Sequence, residues 1–117
     1  MSKNTDKRVG EAVLLVLVTC PEDQSEGIAR ALLESKLAAC INVIPHVKSF
    51  YRWQGKVQQD NESLMLIKCP SDNYRALEDS ILEMHPYELP EIITVSIVGG
   101  LPGYLNWVLH PDKNKSE

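Results

Sequence analysis

EAVLLVLVTC, residues 11–20, sets the architecture expected of this chain. Its richness in Val and Leu is typical of a β-strand. Side chains alternate between the two faces of a strand, and here both faces are apolar, with Val13, Leu15 and Leu17 on one and Leu14, Val16 and Val18 on the other. Such a strand is buried on both faces, so we expect it to lie within a sheet.

The next segments alternate between helical and strand patterns. A capping-box pattern at Asp23–Glu26 predicts a first helix that ends near Leu37. Ala39–Trp53 reads as a long strand, which Pro45 interrupts with a bulge or an edge position. Gln54-Gly55 predicts a tight turn that leads into the returning strand.

The second half repeats the order of helix and strand. The returning strand spans Lys56–Cys69 and stops at Pro70, and Ser71 is a candidate cap for a second helix. That helix has an apolar stripe at helical spacing, formed by Tyr74, Leu77, Ile81 and Met84. Glu91–Val98 predicts a last strand, and Leu101–Leu109 a short terminal helix.

The resulting order, β-α-β-β-α-β with a short C-terminal helix, is the ferredoxin-like pattern of an α+β protein. It places two helices on one face of a four-stranded antiparallel sheet. The expected organisation is one domain over residues 10–110, with a flexible N-terminus at 1–9 and a flexible tail at 111–117.

The open face of this sheet predicts self-association. The strand at residues 11–20 is apolar on that face too, and the long hairpin should project with Tyr51 and Trp53 near its tip. Both features are aggregation liabilities in a monomer, and closed homo-oligomers remove them. We expect Trp53 to anchor a neighbouring subunit.

Composition excludes several classes of function. The 117 residues are 44% hydrophobic and carry a net charge of −4, which gives no electrostatic support for binding nucleic acid. The apolar run Ala12–Val18 is too short for a membrane span. It faintly resembles a lipoprotein signal ending at Cys20, but Glu11, Pro21 and the loss of the best strand argue against cleavage. We expect a cytoplasmic protein with reduced thiols.

The sequence motifs do not indicate an enzyme, because no nucleophile, zinc-protease or phosphate-loop motif is present.

The segment His85–Glu91 (HPYELPE) is a stiff loop that holds His85 and Tyr87 in place. His85 is either a structural histidine in a turn or a functional group. Cysteine, methionine and histidine together suit copper or zinc, although no C-x-x-C pair exists, and Cys40 and Cys69 fit core positions. The aromatic residues Tyr51, Trp53, Tyr87, Tyr104 and Trp107 suit either subunit packing or a ligand cleft between subunits.

Several of these segments together resemble the CutA family of divalent-cation tolerance proteins. They are Ala38–Asn42, Tyr51–Lys56, Glu62, Lys68, His85–Glu91 and Tyr104–Trp107, and the match runs in order from about Val13 to Leu109. The resemblance implies a ferredoxin-like homotrimer, a cytoplasmic role in tolerance to divalent cations, copper binding in some bacterial relatives, and no established reaction.

The family's copper site carries over only in part. The resemblance transfers His85 cleanly, while Met84 stands where some relatives have a second histidine and Val18 where they have a cysteine. Met84 and Cys20 are the soft side chains that would substitute, which gives His85, Cys20 and Met84 as candidate metal ligands. No cofactor is obligatory on this interpretation, and copper or another divalent cation is the expected ion.

Two other functions stay open. One is a signalling trimer that holds a small molecule, such as a nucleotide, in an intersubunit cleft lined by Lys68, Arg52 and the aromatic residues. The other is a scaffold trimer whose effect on metal tolerance is indirect. The expected partners are further copies of the chain and metal ions, with neither nucleic acid nor membrane.

Overall fold

The computed structural model describes residues 12–113. Four strands, three α-helices and one 3₁₀ turn follow in the expected order. They are β1 (Val13–Cys20), α1 (Glu22–Glu34), β2 (Cys40–Trp53), β3 (Lys56–Pro70), the turn Ser71–Asn73, α2 (Tyr74–Met84), β4 (Ile92–Ser96) and α3 (Pro102–Leu109). The predicted flexible N-terminus at 1–9 and residues 114–117 of the predicted tail lie outside the described residues.

The sheet is antiparallel with strand order β2-β3-β1-β4, which confirms the α+β fold class and the interior position of β1. Leu14 lies opposite Cys69 of β3 and Ser96 of β4, so both edges of β1 are paired. Helices α1 and α2 cover one face. The core beneath them contains Val16, Val18, Leu32, Met65, Ile67, Leu77 and Ile81, all fully buried or nearly so.

Helix ends and strand ends were predicted less well than the elements. The capping box was wrong: α1 begins at Glu22, with Pro21 in the N-cap position and no capping side chain. The helix ends at Glu34 rather than Leu37, because Lys36 takes a positive φ of 64° that leaves the helical conformation. Ser71 does not cap α2 either, since it opens the 3₁₀ turn and its N–H donates to the Ala12 carbonyl.

The hairpin of β2 and β3 projects from the body, as predicted. β1 pairs with residues 63–70 of β3, so residues 56–62 pair with β2 alone. The molecule is accordingly elongated, at 52 × 29 × 24 Å. Gln54 and Gly55 form the turn at the tip with φ angles of 53° and 80°, as a tight hairpin turn requires.

The sheet face opposite α1 and α2, here called the open face, is covered only at one end. There α3 packs Leu105 and Val108 against Val13. Farther along the face, Ile44, Ile93 and Val95 are 40–50% exposed. Within residues 12–113 no helix is long and apolar enough to cross a membrane.

Candidate functional site

A bulge in β2 determines which side chains reach the open face near the hairpin. Ile44 pairs with Leu64 and Val47 with Glu62, so Pro45 and His46 together oppose the single residue Ser63. His46 has a φ of 63°, and its N–H donates to Glu22 Oε2 at 2.8 Å, which stabilises the kink. The extra residue reverses the alternation of β2 beyond this point.

The reversal places Tyr51 and Trp53 on the same face as Asp60 and Glu62. Ser49 pairs with Asp60 and Val47 with Glu62, so the odd-numbered residues of β2 share a face with the even-numbered residues of β3. Without the bulge, Phe50 and Arg52 would occupy that face instead. The predicted interruption at Pro45 therefore positions the site.

These side chains border a cleft that extends along the hairpin from Glu62 to Trp53, here called the hairpin cleft. Its volume is about 700 Å³, within the range of small-molecule sites. Its walls come from the end of β1, the two hairpin arms and the loop at residues 87–91. They include three aromatic residues (Tyr51, Trp53 and Tyr87) and four acidic residues (Asp60, Glu62, Glu88 and Glu91). Phe50 and Arg52 also border the cleft, although their side chains alternate to the other face of β2.

Three of the carboxyl groups at the cleft accept a hydrogen bond from a hydroxyl group. The Tyr87 hydroxyl donates to Glu62 Oε2 at 2.9 Å, and the Tyr51 hydroxyl donates to Asp60 Oδ2. The Thr19 hydroxyl donates to Glu91 Oε1 at 3.4 Å. Burial, followed by the bond to Glu62, raises the pKa of Tyr87, and the bond to Asp60 raises the pKa of Tyr51. Both tyrosines therefore stay protonated donors at neutral pH.

His85 fixes the loop that forms one wall of the cleft. It is 7% exposed, and its Nε2 lies 2.7 Å from the Thr19 carbonyl oxygen, which can only accept a hydrogen bond. Nε2 therefore carries the proton, and Nδ1 accepts from the Tyr87 N–H at 3.2 Å. Both ring nitrogens are engaged, so the geometry favours the structural role for this histidine.

The candidate metal ligands His85, Cys20 and Met84 do not present a preformed chelate in the single chain. His85 has no free nitrogen, and Met84 packs against the core between the helices and the sheet. Burial, and then the charge of Glu62, raises the pKa of the Cys20 thiol to about 11, so this thiol is protonated at neutral pH. Within residues 12–113, no three His, Cys, Asp or Glu side chains lie close enough together to hold a metal ion. The predicted metal site stays a prediction.

The predicted set of interface or cleft residues divides into two groups. Tyr51, Trp53 and Tyr87 line the hairpin cleft, with Arg52 beside them. Lys68 lies elsewhere on the open face and donates to Asn42. Tyr104 and Trp107 stack on each other in α3 with ring centroids 5.7 Å apart, away from the cleft in this chain.

Sequence reasoning missed the acidic residues of the cleft as candidate site residues. The run from Gln58 to Glu62 has the composition of a solvated strand, yet Glu62 is only 4% exposed. The signals available were the even spacing of Asp60 and Glu62 on one strand face and the placement of Glu88 and Glu91 around Pro90.

The protein has a four-stranded antiparallel sheet with two helices on one face, and a cleft lies beside its projecting hairpin. These features define a small ferredoxin-like α+β protein. Comparison with known proteins narrows this class. Residues 14–110 match the family model described as "CutA1 divalent ion tolerance protein". The chain belongs to the CutA1 divalent ion tolerance protein family, as its resemblance implied.

Individual relatives agree with this assignment. "Protein CutA homolog" of Xenopus laevis is 45% identical over 105 residues, which are 89% of this chain and 70% of the frog protein. The chain spans 55–70% of the lengths of the first three vertebrate relatives.

Solved structures agree as well. The divalent cation tolerance protein (Cut A1) from Thermus thermophilus has a TM-score of 0.81 at 41% identity, covering 83% of this chain and 95% of that one. The "PII-like protein CutA" from Nostoc sp. PCC 7120, in apo form, has a TM-score of 0.78 at 34% identity, covering 82% and 93%.

Proposed function

We propose that the protein acts as a homotrimer in tolerance to divalent cations, in the cytoplasm, by weak binding of copper or a similar ion and without catalysing a reaction. The observation that carries the proposal is the match of residues 14–110 to a family described by divalent ion tolerance. The relative in Thermus thermophilus is named "Divalent-cation tolerance protein CutA".

The trimer is supported by the apolar surface that one chain leaves uncovered. Ile44, Ile93 and Val95 are exposed on the open face, and Trp53 is 43% exposed on the hairpin. Exposed apolar surface of this kind marks an interaction surface, and most soluble oligomers are built from copies of one chain. A light-scattering mass near three times 13.2 kDa supports the trimer, and a mass near 13.2 kDa in dilute buffer contradicts it.

Metal binding through His85 requires the loss of one of its two hydrogen bonds. Each such bond contributes about 1 kcal/mol, so a metal ion must displace a partner before it binds. We therefore expect modest affinity. Imidazole binds metal only in its neutral form, so binding should also weaken as the pH falls.

The test is a copper titration of the parent protein and of His85→Ala at pH 7.5 and 5.5. The parent should bind more tightly at pH 7.5 than at 5.5, and His85→Ala should bind at least tenfold more weakly than the parent at pH 7.5. His110→Ala, which removes an exposed imidazole, is the matched control and should bind as the parent does. Equal affinity in the parent and in His85→Ala would remove His85 from the metal site.

The second candidate function is binding of a small molecule by the same trimer. The hairpin cleft favours it, because a volume of about 700 Å³ with aromatic walls and a few polar groups is typical of ligand sites. A thermal-shift screen with nucleotides and other small molecules tests this function. Identical metal tolerance of cells with and without the His85 side chain would instead favour a scaffold role.

A further inference from the structure

The hairpin cleft is strongly acidic for its size. Four acidic residues, Asp60, Glu62, Glu88 and Glu91, line it, and Arg52 is the one basic residue at its border within the described part of the chain. A concave surface lined by one sign of charge attracts ligands of the opposite sign and repels the rest. The charge of the cleft therefore disfavours nucleotides and other anions.

Within residues 12–113, the hydrogen bonds to three of the cleft carboxyl groups come from neutral hydroxyl groups. The Tyr87 hydroxyl donates a hydrogen bond to Glu62, and the Tyr51 hydroxyl donates one to Asp60. The Thr19 hydroxyl donates one to Glu91. The ion pairs within residues 12–113 are Arg30–Glu26 and the contact of His46 with Glu22, neither of which involves the cleft.

Glu62 is the most deeply buried of the four acidic residues, and no basic side chain within residues 12–113 pairs with it. It is 4% exposed, and its hydrogen bond within the described chain is the one from the Tyr87 hydroxyl. Burial of a carboxylate without a cation is costly, so buried carboxylates are usually paired with one. A ligand cation at this position would recover part of that cost.

The geometry favours an organic cation over a metal ion. Within the described residues the acidic groups are too far apart for three of them to surround one metal ion. They also come from separate segments, with Asp60 and Glu62 on β3 and Glu91 on the loop before β4. The rings of Tyr51, Trp53 and Tyr87 line the same space, and aromatic faces attract organic ammonium groups.

We propose that the hairpin cleft binds a small organic cation with more than one amino group, in which one ammonium group pairs with Glu62 and another with Glu91 or Asp60, against the rings of Tyr51 and Trp53. The inference rests on the second candidate function above and names its class of ligand. The groups that recognise this ligand are the carboxyl groups that accept hydrogen bonds from hydroxyl groups, together with the aromatic rings that line the cleft.

The experiment compares three probes of the same chain length and different charge. They are 1,4-diaminobutane, butane-1,4-diol and succinate, each titrated calorimetrically into the full-length protein at pH 7.5 and low salt. The diamine should bind and the other two should not. Because the attraction is electrostatic, its affinity should fall on addition of 0.5 M NaCl.

Variants locate the bound diamine. Glu62→Gln keeps an acceptor for Tyr87 and removes the charge, so it should weaken binding at least tenfold. Glu91→Gln changes an exposed side chain that leaves the core intact, and it should weaken binding several-fold. Glu26→Gln is the control, because Glu26 is an exposed glutamate on α1 that pairs with Arg30, and it should bind as the parent does.

Tryptophan fluorescence gives a second measurement at the site itself. Trp53 and Trp107 are the two tryptophans, and Trp53 alone lines the cleft. The diamine should therefore change the emission of the parent protein. It should not change the emission of Trp53→Phe, in which Trp107 remains.

Three outcomes would overturn the inference: no binding of the diamine, equal binding of the diol or succinate, or equal diamine affinity in Glu62→Gln and Glu91→Gln compared with the parent. A light-scattering mass measured on the same sample separates this result from the proposed trimer. A trimer that binds no diamine refutes the inference alone, whereas a monomer refutes the assembly.

Discussion

His85 acts at the scale of a single residue by joining two segments that are distant in the chain. Its ring links the Thr19 carbonyl at the end of β1 to the Tyr87 N–H in the loop after α2. The same loop then supplies the Tyr87 hydroxyl to Glu62. One imidazole therefore positions the wall of the hairpin cleft and, through Tyr87, the carboxylate within it.

Cys69 allows a prediction about pH. It is fully buried next to α2, and burial raises the pKa of its thiol from 9.0 to about 11. The unfolded chain therefore loses this proton at lower pH than the folded chain does. The stabilisation is fully present below pH 9 and is lost as the pH rises from about 9 to 11.

The expected size follows from a shift of about two pKa units. Between pH 8 and 10.5, the parent should lose about 2 kcal/mol per chain more of its free energy of unfolding than Cys69→Ala does. Denaturant unfolding at both pH values measures the difference. Cys40→Ala is the control for loss of a thiol elsewhere in the sheet and should follow the parent. Parallel losses in the parent and in Cys69→Ala would refute the prediction.

At the scale of the element, the bulge and the turn of the hairpin determine different features of the structure. The bulge at Pro45 and His46 selects the side chains that reach the cleft, while the turn at Gln54-Gly55 sets the pairing of the two arms. Gly55 has a φ of 80°, which side chains with a Cβ atom rarely adopt.

Replacement of glycine by alanine should therefore have opposite effects in two elements. Gly27 lies within α1, and an added Cβ there meets no atom within 4 Å. Gly27→Ala should raise the free energy of unfolding by about 1 kcal/mol, because alanine is the better helix former. Gly55→Ala should lower it by about 1 kcal/mol, because of its positive φ. Chemical denaturation of both variants measures the signs, and two changes of the same sign would contradict this account.

At the scale of the whole molecule, the two faces of the sheet differ in what covers them. Two helices shield one face, whereas the open face leaves apolar side chains of β2 and β4 in contact with solvent. The proposed trimer accounts for this surface, and adjacent residues of β4 provide a test, because Ile93 and Thr94 point to opposite faces.

Ile93→Glu should prevent assembly. Ile93 is 50% exposed in the single chain, so the substitution leaves the helix-covered core intact and places a charge on the surface that neighbours would bury. Thr94→Glu adds the same charge one residue away, at an exposed position on the other face, and is the matched control. Light scattering should give a trimer for Thr94→Glu and a smaller species for Ile93→Glu. A trimer in both variants would place the interface elsewhere.

Local patterns in the sequence predicted most of the fold. The doubly apolar β1, the Gln54-Gly55 turn and the stop at Pro70 each follow from backbone chemistry or from burial of neighbouring residues. The predicted caps at Asp23 and Ser71 failed because a cap depends on where the backbone enters the helix. At α1 the N-cap lies two residues earlier than predicted, at Pro21.

The site was predicted only in part, because its defining contacts are tertiary. The aromatic residues Tyr51, Trp53 and Tyr87 were recognised by type and do line the cleft. Glu62 is buried by a loop 25 residues later in the chain, and no local pattern of β3 reports that contact. The two hydrogen bonds of His85 are equally invisible in the sequence, which therefore leaves its structural and functional roles open.

The strand order has a consequence for how the protein is made. Leu14 faces Cys69, which is 55 residues later in the chain (14 to 69), and Ser96, which is 82 residues later (14 to 96). At a translation rate of about 5–20 residues per second, the most apolar strand waits roughly 4–16 s on the ribosome before its second neighbour is synthesised. Only the β2–β3 hairpin can close early from local contacts. Newly made chains therefore expose β1 during synthesis, and its non-local pairing should limit the rate of folding.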